Sequence, residues 1–294
     1  MIDILKDKNL KNDVLDHGFV RLIDVMPRIS DDGTGDSAIT QAARVSYGKG
    51  TKTVNQDRGL IRYLMRHKHT SPFEQAEIKI HAKMPIFVAR QWVRHRTASL
   101  NEYSGRYSEM SDEFYIPNVE RIQTQSKTNK QGTDGNGEFS LSTQMIMQLK
   151  MKESTENSFK EYKYYLNTDM SRELARINLP LSNYTEWYWK VNLLNLFRFL
   201  QLRMDSHAQY EIQEYANAIY KMVKPIFPLA CEAFENYWLN GCEFSNDDIR
   251  LLKNLFKDKN ITNDEIKSYI ENNTIISNNR EKNELIKKLN LENG

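Results

Sequence analysis

The chain has 294 residues, 39% hydrophobic and 27% charged, which suits a folded protein with a sizeable core and excludes a disordered one. A net charge of +2 excludes the strongly basic balance of a nucleic-acid protein, so any anion site must come from local clustering.

Gly18 to Met26 is rich in β-branched and apolar residues and reads as a strand. Asp36 and Ser37 offer an N-cap to a short helix bearing Ile39, Ala42 and Ala43. Residues 56–67 place Leu60, Ile61, Leu64 and Met65 on one helical face, ending in the basic corner Arg66-His67-Lys68-His69. In 76–84, Ala76, Ile78, Ile80, Ala82 and Met84 alternate with Glu77, Lys79, His81 and Lys83, the period of a half-buried strand that Pro85 stops. Residues 86–96 read as a short amphipathic helix, with Trp92 on its apolar side and Arg90, Gln91, Arg94 and His95 on the other. The polar, glycine-bearing stretch 121–150 reads as a loop insertion, with a helical pattern resuming near Met145 and running toward Asn167. From Thr185 to about Val223 the chain reads as two long helices broken near Asp205, the first apolar nearly all round and therefore buried. In 245–294, Ser245 with Asp248 and Thr262 with Glu265 resemble capping boxes, so this tail reads as a helical appendage to a main domain over 1–244.

Three constellations carry chemistry. Between Arg90 and Arg106 stand four arginines, one histidine and one acid, with Gly105 free to allow a close approach. Arginine forks suit phosphate oxygens, so this stretch reads as a pocket for phosphorylated planar ligands or, more blandly, as a solvated basic face. The second lies on the supposed buried helix, where Asn192 and Arg203 are eleven residues apart and project from nearly the same face. A buried arginine needs an acceptor, either Asp205 in a structural ion pair or an anionic ring of a ligand. The third is His67-Lys68-His69-Thr70-Ser71-Pro72-Phe73-Glu74, which reads as packing or a ring contact rather than a metal site. Cys231 and Cys242 lack metal-pair spacing and read as ordinary thiols. No secretory signal or membrane-length apolar run is present in the sequence, so cytoplasmic location without a membrane partner is expected.

Arg94-His95-Arg96, seven residues, then Ser104 resembles the defining motif of the flavin-dependent thymidylate synthase (ThyX) family. Matching blocks occur in family order: Ala42 to Ser46, His69 to Glu74, Phe87 to Trp92, Asn101 to Tyr107, Ala175 to Pro180 and Leu202 to Gln209. The resemblance implies an α+β fold, a mixed β-sheet flanked by helices, with 245–294 as a small C-terminal helical extension outside the pattern. It implies a homotetramer with active sites shared between subunits. The substrate is then dUMP, the bound cofactor FAD, and the co-substrates NADPH and 5,10-methylene-tetrahydrofolate. By position, Gln91, Arg94, Glu102, Tyr103, Ser104, Gly105, Arg106, Arg176 and Arg203 should line the dUMP site. His69, Ser71, Arg94, His95, Arg96, Glu102, Asn192 and Arg198 should contact FAD, although Arg198 stands where Asn or His is expected. Arg203 is the expected catalytic residue, favouring the N3-deprotonated uracil, and no metal is expected. Ser104 has no evident base nearby in sequence and reads as a binding group rather than a nucleophile. Two other readings remain at this point: an NADPH-dependent flavoprotein oxidoreductase without methyl transfer, and a nucleic-acid-binding protein.

Overall fold

The computed structural model describes residues 10–28, 33–45, 54–127, 132–133, 139–289 and 291. β1 (Lys11–Val14) and β2 (Gly18–Met26) form a hairpin. β3 (Glu77–Pro85) lies beside β2, β4 (Ser99–Glu102) forms the far edge, and β5 (Tyr184–Asn192) fills the place between them. The order is β1-β2-β3-β5-β4, and every pairing is antiparallel. The α+β class is as expected; the sheet itself is antiparallel rather than mixed. The chain leaves β3 at Pro85 and returns at Tyr184, which pairs with Pro85, so the two strands must run oppositely.

β5 also corrects the reading of Thr185–Asn192 as helix. Trp187, Trp189 and Val191 are buried, whereas Tyr188 and Lys190 are exposed. The period of two is present, but Tyr188 puts a large aromatic on the outward side and disguises it.

Among the described residues, the α-helices up to Phe234 are, in chain order, α1 (Asp36–Arg44), α2 (Val54–Arg66), α3 (Ile86–Trp92), α4 (Leu141–Asn167), α5 (Arg172–Ala175), α6 (Leu193–Arg203), α7 (Tyr210–Val223) and α8 (Pro228–Phe234). Side chains from α3, α6 and α7 join those of β2, β3 and β5 in one core. α3 stops at Trp92, short of the expected 96. Trp92 is fully buried, with its ring centroid 5.3 Å from those of both Trp187 and Trp189 and 5.1 Å from that of Phe199. The chain must then turn out of the core to reach β4 at the sheet edge. α4 begins at Leu141, ahead of Met145, because Ser140 caps it by accepting the Thr143 N–H.

Asp36 is not the cap of its own helix; Gly35 holds that place. Asp36 is buried, and its carboxylate accepts the backbone N–H groups of Leu229 at 2.8 Å and Ala230 at 3.0 Å. It thereby serves the N-terminus of α8, far along the chain, where a negative charge is favoured.

The chain divides into two compact units, Met1–Asn240 and Gly241–Gly294. The second contains α9 (Asn246–Asp258), α10 (Asn263–Asn272) and α11 (Asn279–Lys288) around Ile266, Ile270, Ile286 and Leu291. Both capping boxes form as read, Ser245 with Asp248 and Thr262 with Glu265.

Removing the Asp36 carboxylate strands two buried N–H groups. Asp36→Ala should lower stability by about 2 kcal/mol. A denaturant midpoint equal to that of the parent would show that the contact contributes nothing.

Candidate active site

Arg203 ends α6 and is half-buried. Its Nε donates to His95 Nε2 at 3.1 Å, and its Nη2 donates to the Gln91 carbonyl oxygen at 3.2 Å. Among the described residues it has no carboxylate partner. Asp205, the partner considered from sequence, pairs instead with His207 at 2.8 Å. Both acceptors of Arg203 are neutral, so its charge is left for something else. Burial lowers its pKa, with the positive charge of Arg94 adding to the effect.

Gln91 lies in the last turn of α3, and His95 follows the buried Trp92, donating its backbone N–H to the Trp92 carbonyl at 3.0 Å. The anchored indole thus fixes both acceptors. The Gln91 side-chain amide donates to Gln209 Oε1. Gln209 was not among the residues proposed from sequence, although it stands at the end of the Leu202–Gln209 block. Arg94 and Arg96 lie beyond the helix, exposed, with no carboxylate partner among the described residues.

Asn192 is not on a helix with Arg203. It is the N-cap of α6, accepting the Asn195 backbone N–H at 2.9 Å and side-chain amide at 2.8 Å on Oδ1. The eleven residues of α6 therefore separate Asn192 and Arg203 by about 16 Å. Arg198 Nη1 donates to Asn195 Oδ1 at 3.1 Å, which joins Arg198 to the Asn192 end.

A third group forms where β4 runs out. Glu102 accepts the Thr185 hydroxyl at 2.8 Å, and Tyr103 donates its N–H to the Glu186 carbonyl at 2.8 Å. The Ser104 hydroxyl accepts the Arg106 N–H at 3.3 Å, and no base lies against it among the described residues. Gly105 is buried, and a Cβ there would come 2.7 Å from Met110 Sδ and 3.0 Å from Arg176 Cδ. Glycine is needed here for close packing beneath Arg176. Arg106 pairs with Glu173 at 3.1 Å, both well exposed.

His69 is held by the end of α2. Lys68 adopts a left-handed φ of 57°, and the N–H groups of Lys68 and His69 return to the carbonyls of Met65 and Leu64. The His69 ring meets Tyr63 edge-on at 5.7 Å. Ser71 is exposed at the start of a short 3-10 turn whose Phe73 is buried. Arg44 of the first matched block pairs with the buried Asp57; Ser46 of that block lies outside the described residues.

One chain thus joins Gln91, His95 and Arg203 directly and sets the Asn192, Glu102–Arg106 and His69 groups at other elements. A cavity of about 760 Å³ is lined by Gln209, Phe87, Tyr115, Arg121 and Tyr210, but by none of the site residues expected from sequence. Among the described residues, no helix is long and apolar enough to cross a membrane, and no three metal-ligating side chains converge.

Residues 22–229 match the family described as "Thymidylate synthase complementing protein". The chain belongs to this family of flavin-dependent thymidylate synthases. A flavin-dependent thymidylate synthase of Dictyostelium discoideum is 52% identical over 242 residues, 82% of this chain and 78% of that one. One from Treponema denticola is 50% identical over 268 residues, 90% of this chain and 97% of that one. Among solved structures, a UMP/dUMP methylase from Streptomyces cacaoi bound with 5-Br dUMP superposes with a TM-score of 0.67 at 32% identity, covering 78% of this chain and 99% of that one. The family match thus takes in β3, β4 and β5, part of β2 and all the site groups above.

Burial, then the charge of Arg203, depress the His95 pKa to about 4 from the usual 6.5. The unfolded chain takes up this proton first. The contribution of His95 to stability is thus complete above about pH 6.5 and declines as pH falls toward 4. A histidine-labelled NMR titration should show the His95 ring neutral from pH 8 down to about 5. A midpoint near 6.5 would mean that Arg203 does not face an unprotonated imidazole.

Proposed function

We propose that this chain converts dUMP to dTMP through bound FAD, with NADPH as reductant and 5,10-methylene-tetrahydrofolate as carbon donor. The observation that carries this reading is Arg203, a half-buried guanidinium fixed by neutral acceptors and without a counter-charge among the described residues. Such a group stabilises negative charge developing on a uracil ring. Family membership supplies the ring; the geometry supplies the cation.

The donor set suits FAD. Arg94, Arg96 and Arg198 carry no carboxylate partner among the described residues, and the Asn192 side chain at the start of α6 uses its Oδ1 on Asn195 while its N–H₂ has no partner among the described residues. When bound, FAD would supply the redox chemistry, carrying reducing equivalents between the nicotinamide and the one-carbon unit. The chain orients and polarises. Gln91 and Arg94 contact the nucleotide beside Arg203. Glu102, Tyr103, Ser104, Gly105, Arg106 and Arg176 form its second wall, with Arg106 releasing Glu173 for the phosphate. That exchange costs little, because an exposed pair contributes about 0–1 kcal/mol. His69, Ser71, Asn192 and Arg198 address the flavin, whereas the His95 Nε2 is already committed to Arg203.

The separation of these groups across one chain supports sites completed by neighbouring subunits, in a homotetramer. Ser104 acts by hydrogen bonding. The buried Cys231 has its thiol pKa raised mainly by desolvation, which disfavours a nucleophilic thiolate there.

Arg203→Ala should retain the bound-flavin spectrum and lose dUMP-dependent tritium release from C5 by about 100-fold or more. Turnover within a factor of about three of the parent would remove Arg203 from the chemistry. NADPH oxidation without any tritium release by the parent protein would instead favour the oxidoreductase reading.

A further inference from the structure

Arg203 could be oriented by a carboxylate, as most half-buried arginines are. A carboxylate would also cancel its charge. In this chain the Nε donor goes to an imidazole nitrogen, and one Nη2 donor goes to a main-chain carbonyl. Two of the five guanidinium N–H groups are spent, and the charge is not.

We propose that His95 is a positioning residue, whose Nε2 lone pair sets the plane of the Arg203 guanidinium so that Nη1 and the outer Nη2 N–H face the uracil of the nucleotide. The proposal rests on reading Arg203 as the uracil contact. A guanidinium held at one nitrogen can swing about its side chain; held at Nε and Nη2 by acceptors from one short segment, it has a single plane. Gln91 and His95 are that segment, and Trp92 between them is locked in the core.

The brace is itself braced. The His95 ring stands edge-on to Phe199, with centroids 5.0 Å apart and planes at 79°. Phe199 is fully buried and lies one turn before Arg203 on α6. The helix that carries the cation therefore also carries the wall that aims its acceptor. To accept at Nε2, His95 must be neutral with its proton on Nδ1, and its depressed pKa agrees with the neutral state. Protonation would remove the acceptor and set two cations 3.1 Å apart.

The test is equilibrium binding of dUMP to the FAD-loaded protein. His95→Met replaces the imidazole nitrogen by a far weaker acceptor, a thioether sulfur, at similar bulk and should weaken binding roughly tenfold, as loss of a hydrogen bond to a charged group does. His95→Gln, which can place an acceptor oxygen there, should stay within about threefold of the parent. In an Arg203→Ala background, His95→Met should change affinity by less than about twofold, because its effect passes through Arg203. The same tenfold loss in both backgrounds would overturn the proposal while leaving Arg203 as the uracil contact, and so would a His95→Gln protein as weak as His95→Met. If Arg203→Ala alone leaves dUMP affinity unchanged, the uracil reading falls and the proposal with it.

Discussion

A guanidinium taken partly out of water must be satisfied, and the manner of its satisfaction decides what it can do. Arg203 is satisfied by an imidazole nitrogen and a peptide oxygen, neither of which carries charge. Much of the surrounding structure serves that arrangement. Trp92 is wedged among Trp187, Trp189 and Phe199, which holds the end of α3 at the C-terminus of α6. The antiparallel placing of β5 between β3 and β4 brings both tryptophans inward and leads the chain directly into α6. A shift in any of these elements would move the acceptors relative to the cation.

The same core separates the other groups. Asn192 caps the start of α6, Arg198 reaches back toward that end from its middle, Arg203 stands at its end, and Ser104 to Arg106 follow the exposed edge strand β4. Edge strands present unpaired backbone and exposed side chains to whatever lies beside them. A site built from such dispersed groups is consistent with completion by another copy of the chain. Arg106, just beyond β4, pairs with Glu173 in an exposed ion pair.

How much could be read beforehand depended on whether a residue's neighbours in sequence were also its neighbours in space. β2 was legible from its β-branched and apolar content and β3 from its alternation, both local properties of the sequence. The tail helices were legible for the same reason, since a capping box closes within four residues. β5 was not, because Tyr188 lies on the outward side of a run of large residues and mimics an all-apolar helix. The end of α3 was missed because it is set by Trp92 docking on residues nearly a hundred positions away, not by helix propensity. In the site, Arg94-His95-Arg96 and Arg203 were singled out from sequence through the family motif. That His95 accepts from Arg203, that Gln209 holds Gln91 and that Asp36 serves α8 were not, since each contact spans more than a hundred residues.

The central claim is that the uncancelled charge of Arg203 is directed at the substrate ring. A crystal structure of the protein with FAD and dUMP tests it most directly. The account requires an Arg203 Nη atom within about 3.2 Å of a uracil oxygen or N3, with the bond to His95 retained. A uracil ring seated elsewhere, with Arg203 turned to a carboxylate of this chain or its neighbour, would contradict it.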